Sequence, residues 1–113
     1  MLMHGDESEE RACRFLKEQG YRILARNWRT RMGEVDIIAR EGGILVFVEV
    51  KARSGNGFGG PEAAVDSAKQ RRIISAALSF MEVTHCDLPM RFDVVAIRPG
   101  KLRLYRDAFQ VAD

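Results

Sequence analysis

Apolar and polar residues recur along this chain with two different periods, and the changes of period mark its elements. Over residues 7–19 the apolar positions Ala12, Phe15 and Leu16 fall at helical spacing, and Gly20 follows where a helix would stop, which predicts a first helix. Residues 21–28 mix aromatic and aliphatic side chains with arginines in rough alternation, the pattern of a strand with one wet face; a turn follows around Arg31-Met32-Gly33. Two β-branched runs, 35–39 and 44–50, flank Arg40-Glu41-Gly42-Gly43, whose paired glycines suit the positive φ of a tight hairpin. Asp66 or Ser67 is placed to cap a second helix that runs to Val83. Ile73, Ile74, Ala77, Leu78 and Met81 form its apolar stripe, with Lys69 and Arg72 off it. Two strands, 91–97 and 102–105, close the chain about Pro99-Gly100.

The order is α-β-β-β-α-β with a further short strand. It predicts an α/β fold, a mixed sheet flanked by helices, in which the long helical crossover allows the third and fourth strands to be parallel. No repeat, low-complexity tract or linker divides residues 1–113, so one domain is expected. The run Ser54-Gly55-Asn56-Gly57-Phe58-Gly59-Gly60 reads as a loop, and Trp28 as a core residue.

Composition narrows the class. At 113 residues, 46% hydrophobic and 30% charged, the chain is sized for a core that needs no disulfide staples. Cys13 and Cys86 lack metal-site spacing and read as reduced thiols, which points to the cytoplasm. Apolar runs are far too short for a membrane span, and the acidic stretch after Met1 is unlike a signal peptide, so no membrane partner is expected. A net charge of +2 is modest for a nucleic-acid binder, but fourteen of the eighteen basic residues are arginine, whose planar fork suits phosphate. Charge is also segregated: Asp6, Glu7, Glu9 and Glu10 have no base among them, while Arg22, Arg26, Arg29 and Arg31 have no acid. A solvated face and a phosphate-binding face both fit that pattern.

The candidate chemistry lies in the central strands. Alternation sends Glu49 and Lys51 to one side, about 6.6 to 6.8 Å apart along the strand, with Leu45 and Phe47 on the same face. A half-buried ionisable pair needs compensation; function is one form, and an ion pair between the two, or with arginines at the end of the sheet, is another. Asp36 interrupts the apolar run Val35-Asp36-Ile37-Ile38 on the strand beside Glu49, where aspartate is disfavoured. Either it braces a neighbouring loop or it binds a cation together with Glu49. Two carboxylates with no histidine or cysteine nearby select Mg²⁺ or Mn²⁺ over zinc. Glu9 falls on the core-facing stripe of the first helix, where a favourable position against the helix dipole competes with a functional one. His4 and His85 have no partner pattern and receive no role.

These blocks together resemble the YraN family of small bacterial proteins, related to archaeal Holliday-junction resolvases. The resemblance is carried by Glu9 with Ala12, Phe15-Leu16, Gly20-Tyr21, Asn27-Trp28-Arg29, Gly33-Glu34-Val35-Asp36-Ile37-Ile38-Ala39 and Val46-Phe47-Val48-Glu49-Val50-Lys51. Arg53, Phe58-Gly59, Lys69-Gln70-Arg71-Arg72 and Arg91-Phe92-Asp93-Val94-Val95 continue it in order. It implies a restriction-endonuclease-like PD-(D/E)xK core. It further implies Asp36, Glu49 and the Val50 carbonyl as metal ligands, Lys51 as the catalytic lysine and Glu9 as a helix-borne acid of the site. Here Ser8 stands where the family usually has glycine before that glutamate.

The expected function is a Mg²⁺- or Mn²⁺-dependent nuclease acting on structured or branched nucleic acid, DNA in preference to RNA. Arg29, Arg31, Arg53, Arg71 and Arg72 are the expected phosphate contacts. A two-fold symmetric junction would favour a homodimer. The alternatives are a nucleic-acid-binding module that does not cut, and a structural protein in which the same acids and lysine form internal ion pairs.

Overall fold

A computed structural model of the chain describes residues 4–52 and 63–111, the first three of them by backbone alone. The elements follow as α1 (His4–Glu18), β1 (Arg22–Thr30), β2 (Gly33–Glu41), β3 (Ile44–Ala52), α2 (Ser67–Thr84), β4 (Met90–Arg98) and β5 (Lys101–Phe109). The α-β-β-β-α-β order expected from the pattern is present, with β5 added at the edge. The sheet runs β1-β2-β3-β4-β5; β3 and β4 are parallel and the other neighbours antiparallel, as the α2 crossover between them allows.

Each face of the sheet buries one apolar set. On the α1 side, Ala12, Cys13 and Leu16 pack against Ile37, Ala39, Val46, Val48, Val95 and Ile97. On the α2 side, Ile73, Ala76, Ala77 and Phe80 pack against Val35, Ile38, Leu45, Phe47 and Phe92. Trp28 belongs to this second core, meeting Phe80 edge-on at 5.2 Å and donating its indole N–H to the Ala76 carbonyl at 3.1 Å. Asp66 caps α2, its carboxylate accepting the Lys69 N–H at 2.8 Å. Among the described residues no helix is long and apolar enough to cross a membrane.

Two boundaries depart from the sequence pattern by three residues or more. The first helix starts at His4, because its opening turn is polar and leaves no hydrophobic periodicity to read. The last strand reaches Phe109, four residues past the expected end, through an irregularity opposite Phe92 and Val94, beyond which Phe109 stacks on Phe92 at 4.9 Å.

Candidate active site

The candidate site lies where β2 and β3 separate. Their last register pair is Ile37 with Val48, and beyond it the Val50 N–H donates to the Asp36 carboxylate at 2.8 Å. Strict alternation in β2 also fails at Asp36: Val35 packs on the α2 side and Ile37, two residues on, on the α1 side. At the same level in β1, between the pairs Arg26 with Ile37 and Trp28 with Val35, Asn27 takes a φ of 54°. Asparagine enters this left-handed region more readily than most side chains. The paired irregularities turn Asp36 toward the end of β3, a common use of strand distortions at a sheet rim. Nothing in the hydropathy pattern marked Asn27; its residue type and its place in the family motif were the signals.

Asp36 lies near enough to Glu49 for the two carboxyl groups to act on each other. Burial, and then the charge of Glu49, push Asp36 up to about 8, against the Val50 N–H, which favours the ionised form. Glu49 is 5% exposed and ion-pairs with the Lys69 ammonium of α2. Lys69, expected off the apolar stripe, is half exposed, yet its ammonium reaches a buried carboxylate. Four residues before Ile73, it continues the sheet-facing stripe by one turn, and the buried Glu49 carboxylate satisfies it there. Lys51 donates to the Ala64 carbonyl. Glu49, Lys51, Ala64, Val65, Asp66 and Lys69 line one open cleft of ≈ 470 Å³.

Glu9 approaches from the α1 side, near enough for its charge to act on Asp36. With the helix beginning at His4, Glu9 lies in its second turn, so a first-turn dipole position does not account for it. Its Oε1 is buried and accepts no hydrogen bond; the nearest guanidinium nitrogen of Arg26 is 3.9 Å away and Arg26 bonds Glu10 at 2.8 Å instead.

A second cleft of ≈ 430 Å³ adjoins the first through Lys69 and is lined by Arg29, Thr30, Arg31, Met32, Gly33, Glu34, Arg72 and Ile73. It gathers Arg29, Arg31 and Arg72, with Arg29 held to Glu34 at 3.1 Å. Arg71 lines a different cleft, with Gln70, Ile74 and Gln110. Arg53 and Phe58 lie outside the described residues.

Among the described residues no three His, Cys, Asp or Glu side chains are gathered as metal ligands. The donor set nonetheless suits a hard divalent cation. Carboxylates in contact resist joint ionisation unless positive charge compensates them, and Glu9 keeps a buried oxygen without a hydrogen bond beside them. All the donors are oxygen, which selects Mg²⁺ or Mn²⁺.

Fold and site together define a mixed α/β protein with an acid pair and two lysines at the end of its central strand. The family model described as "Uncharacterised protein family UPF0102" matches residues 8–97, a span holding Glu9, Asp36, Glu49, Lys51 and Lys69. The chain is 48% identical to a UPF0102 protein of Lachnoclostridium phytofermentans, over 95% of this chain and 92% of that protein. It is 48% identical to one of Symbiobacterium thermophilum, over 93% and 94% respectively, and 45% identical to one of Cupriavidus necator, over 95% and 82%. The chain belongs to the UPF0102 family, the YraN family that its motifs resemble.

Proposed function

We propose that this protein is a metal-dependent nuclease that hydrolyses phosphodiesters of structured or branched nucleic acid, DNA in preference to RNA. The observation that carries the reading is the acid pair of Asp36 and buried Glu49, with Glu49 sharing one open cleft with Lys51 and Lys69. A bound Mg²⁺ or Mn²⁺ would polarise the scissile phosphate and lower the pKa of a bound water. Asp36, Glu49 and the Val50 carbonyl would hold that cation, with Glu9 behind them. Lys51 steadies the charge that develops on the phosphorane or orients the nucleophile. Arg29, Arg31 and Arg72 take backbone phosphates in the adjoining cleft; such contacts set register and orientation and leave sequence unread.

One observation favours a second reading, a module that binds nucleic acid without cutting it: Lys69 already neutralises Glu49. Purified protein with Mg²⁺ or Mn²⁺ on single strands, duplexes, flaps and four-way junctions separates the two. The nuclease cuts at least one of them, and Lys51→Ala or Asp36→Asn lowers the rate by about a hundredfold or more, the scale of removing one transition-state stabiliser. Salt-sensitive binding with no cleavage selects the module. Cleavage unchanged in both variants would sink the assignment of the site.

A further inference from the structure

Lys69 is shared by the two clefts. It lines the acidic one with Glu49 and Lys51, and the basic one with Arg29, Arg31 and Arg72. Its backbone is fixed in the first turn of α2 by the Asp66 cap, while its side chain stays 47% exposed and its ammonium pairs with Glu49. A four-carbon stem on a fixed backbone can carry its charge between adjoining clefts with no change of fold. While it neutralises Glu49, that charge is withheld from the basic cleft. A divalent cation at the acid pair would bring more charge to the same carboxylate and repel the ammonium.

We propose that Lys69 couples the two clefts: it neutralises Glu49 when no cation is bound, and turns to a phosphate beside Arg29, Arg31 and Arg72 when a cation takes its place. The inference rests on the metal-dependent reading of the acid pair. It makes a divalent cation and a nucleic-acid phosphate cooperative ligands, and each must raise the affinity for the other by the same factor. It also gives removal of Lys69 opposite effects on the two. The cation loses a competitor and binds more tightly; the nucleic acid loses a contact and binds more weakly. A lysine that only maintains the fold would not separate the two ligands in this way.

The test measures Mn²⁺ affinity of the free protein, and affinity for a labelled duplex DNA by fluorescence anisotropy in EDTA and in Ca²⁺, for wild type, Lys69→Gln and Lys69→Arg. Lys69→Gln is expected to bind Mn²⁺ about fivefold tighter, and to lose about fivefold of the cation's enhancement of duplex binding, the lower end of typical coupling. Its salt slope in Ca²⁺ should shrink by about 0.9, the loss of one phosphate contact. Lys69→Arg keeps the charge and retains the coupling. Unchanged or weaker Mn²⁺ binding in Lys69→Gln overturns the proposal, as does undiminished coupling. If the Gln variant unfolds in EDTA, the stabilisation by Mn²⁺ is read from melting: a larger shift than wild type supports the coupling, an equal or smaller one overturns it. Mn²⁺ binding that ignores Lys69 contradicts this inference alone; a wild type that binds no Mn²⁺ contradicts the proposed function with it.

Discussion

An aspartate inside an apolar strand has to be held, and Asp36 is held by the Val50 N–H at 2.8 Å. Burial and Glu49 raise its folded pKa to about 8, above an unfolded value of about 3.9. A carboxyl raised in this way binds its proton more tightly in the folded state, so its contribution to stability is complete below about pH 4 and is lost as pH rises through about 8. Without metal, the wild type should therefore lose more stability than Asp36→Asn between pH 5 and 8, read as denaturant midpoints at constant slope. Parallel pH profiles would contradict that assignment. Asp36, Glu49 and Lys51 were legible in the sequence because charge inside β-branched runs is conspicuous. Lys69 was not, because Lys69-Gln70-Arg71-Arg72 reads as a wet helix face and the carboxylate that satisfies it is distant in sequence.

The basic cleft depends on how the β1–β2 turn meets α2. Thr30 Oγ1 accepts the N–H groups of Met32 and Gly33 at 3.1 and 3.2 Å and donates to the Gly33 carbonyl at 3.1 Å, which fixes the turn that carries Arg29 and Arg31. Gly33 is required by close approach: a Cβ there would stand 2.7 Å from the Arg72 carbonyl carbon, and helix backbone cannot yield as a flexible side chain would. Gly33→Ala is expected to destabilise by about 1–3 kcal/mol, the range for overpacking, seen as a lower denaturant midpoint. An unchanged midpoint would mean that the turn moves freely over α2. The turn itself was legible at Arg31-Met32-Gly33, as were the Gly42-Gly43 hairpin and the Asp66 cap, since each has its own local chemistry. The contact of Gly33 with Arg72 was not, being set by how a turn and a helix thirty-nine positions apart pack. Strand β5 was shortened for a related reason: Asp107, at a φ of 55°, breaks the pattern before Phe109 resumes packing.

Across the whole molecule, the site at the end of β3 is balanced by a polar network at the opposite end of the sheet. Fully buried Asp93 accepts Tyr21 Oη at 2.6 Å, two Arg91 nitrogens at 2.8 Å and the Asp107 N–H at 3.0 Å. Arg91 also reaches Glu41 at 2.8 Å, and Arg106 bonds Glu41 at 3.0 Å. Asp93→Ala would leave Arg91 half-buried without its main partner, at about 3–5 kcal/mol, measured by denaturant unfolding; a cost under about 1 kcal/mol would show the network to be dispensable. This network joins the α1–β1 connection, β2, β4 and β5, and of these only β2 also lines one of the two clefts. The small net charge of +2 then conceals a division by place, with arginines gathered in one cleft and buried Glu49 lining the next. The central claim is that the acid pair is a cation site, and Mn²⁺ titration of folded wild type against Asp36→Asn tests it most directly. Wild type should bind Mn²⁺, and the variant about tenfold more weakly or worse, at least the loss that follows from disturbing a ligand's support. Equal affinity in the two proteins, or no binding by wild type, would contradict it.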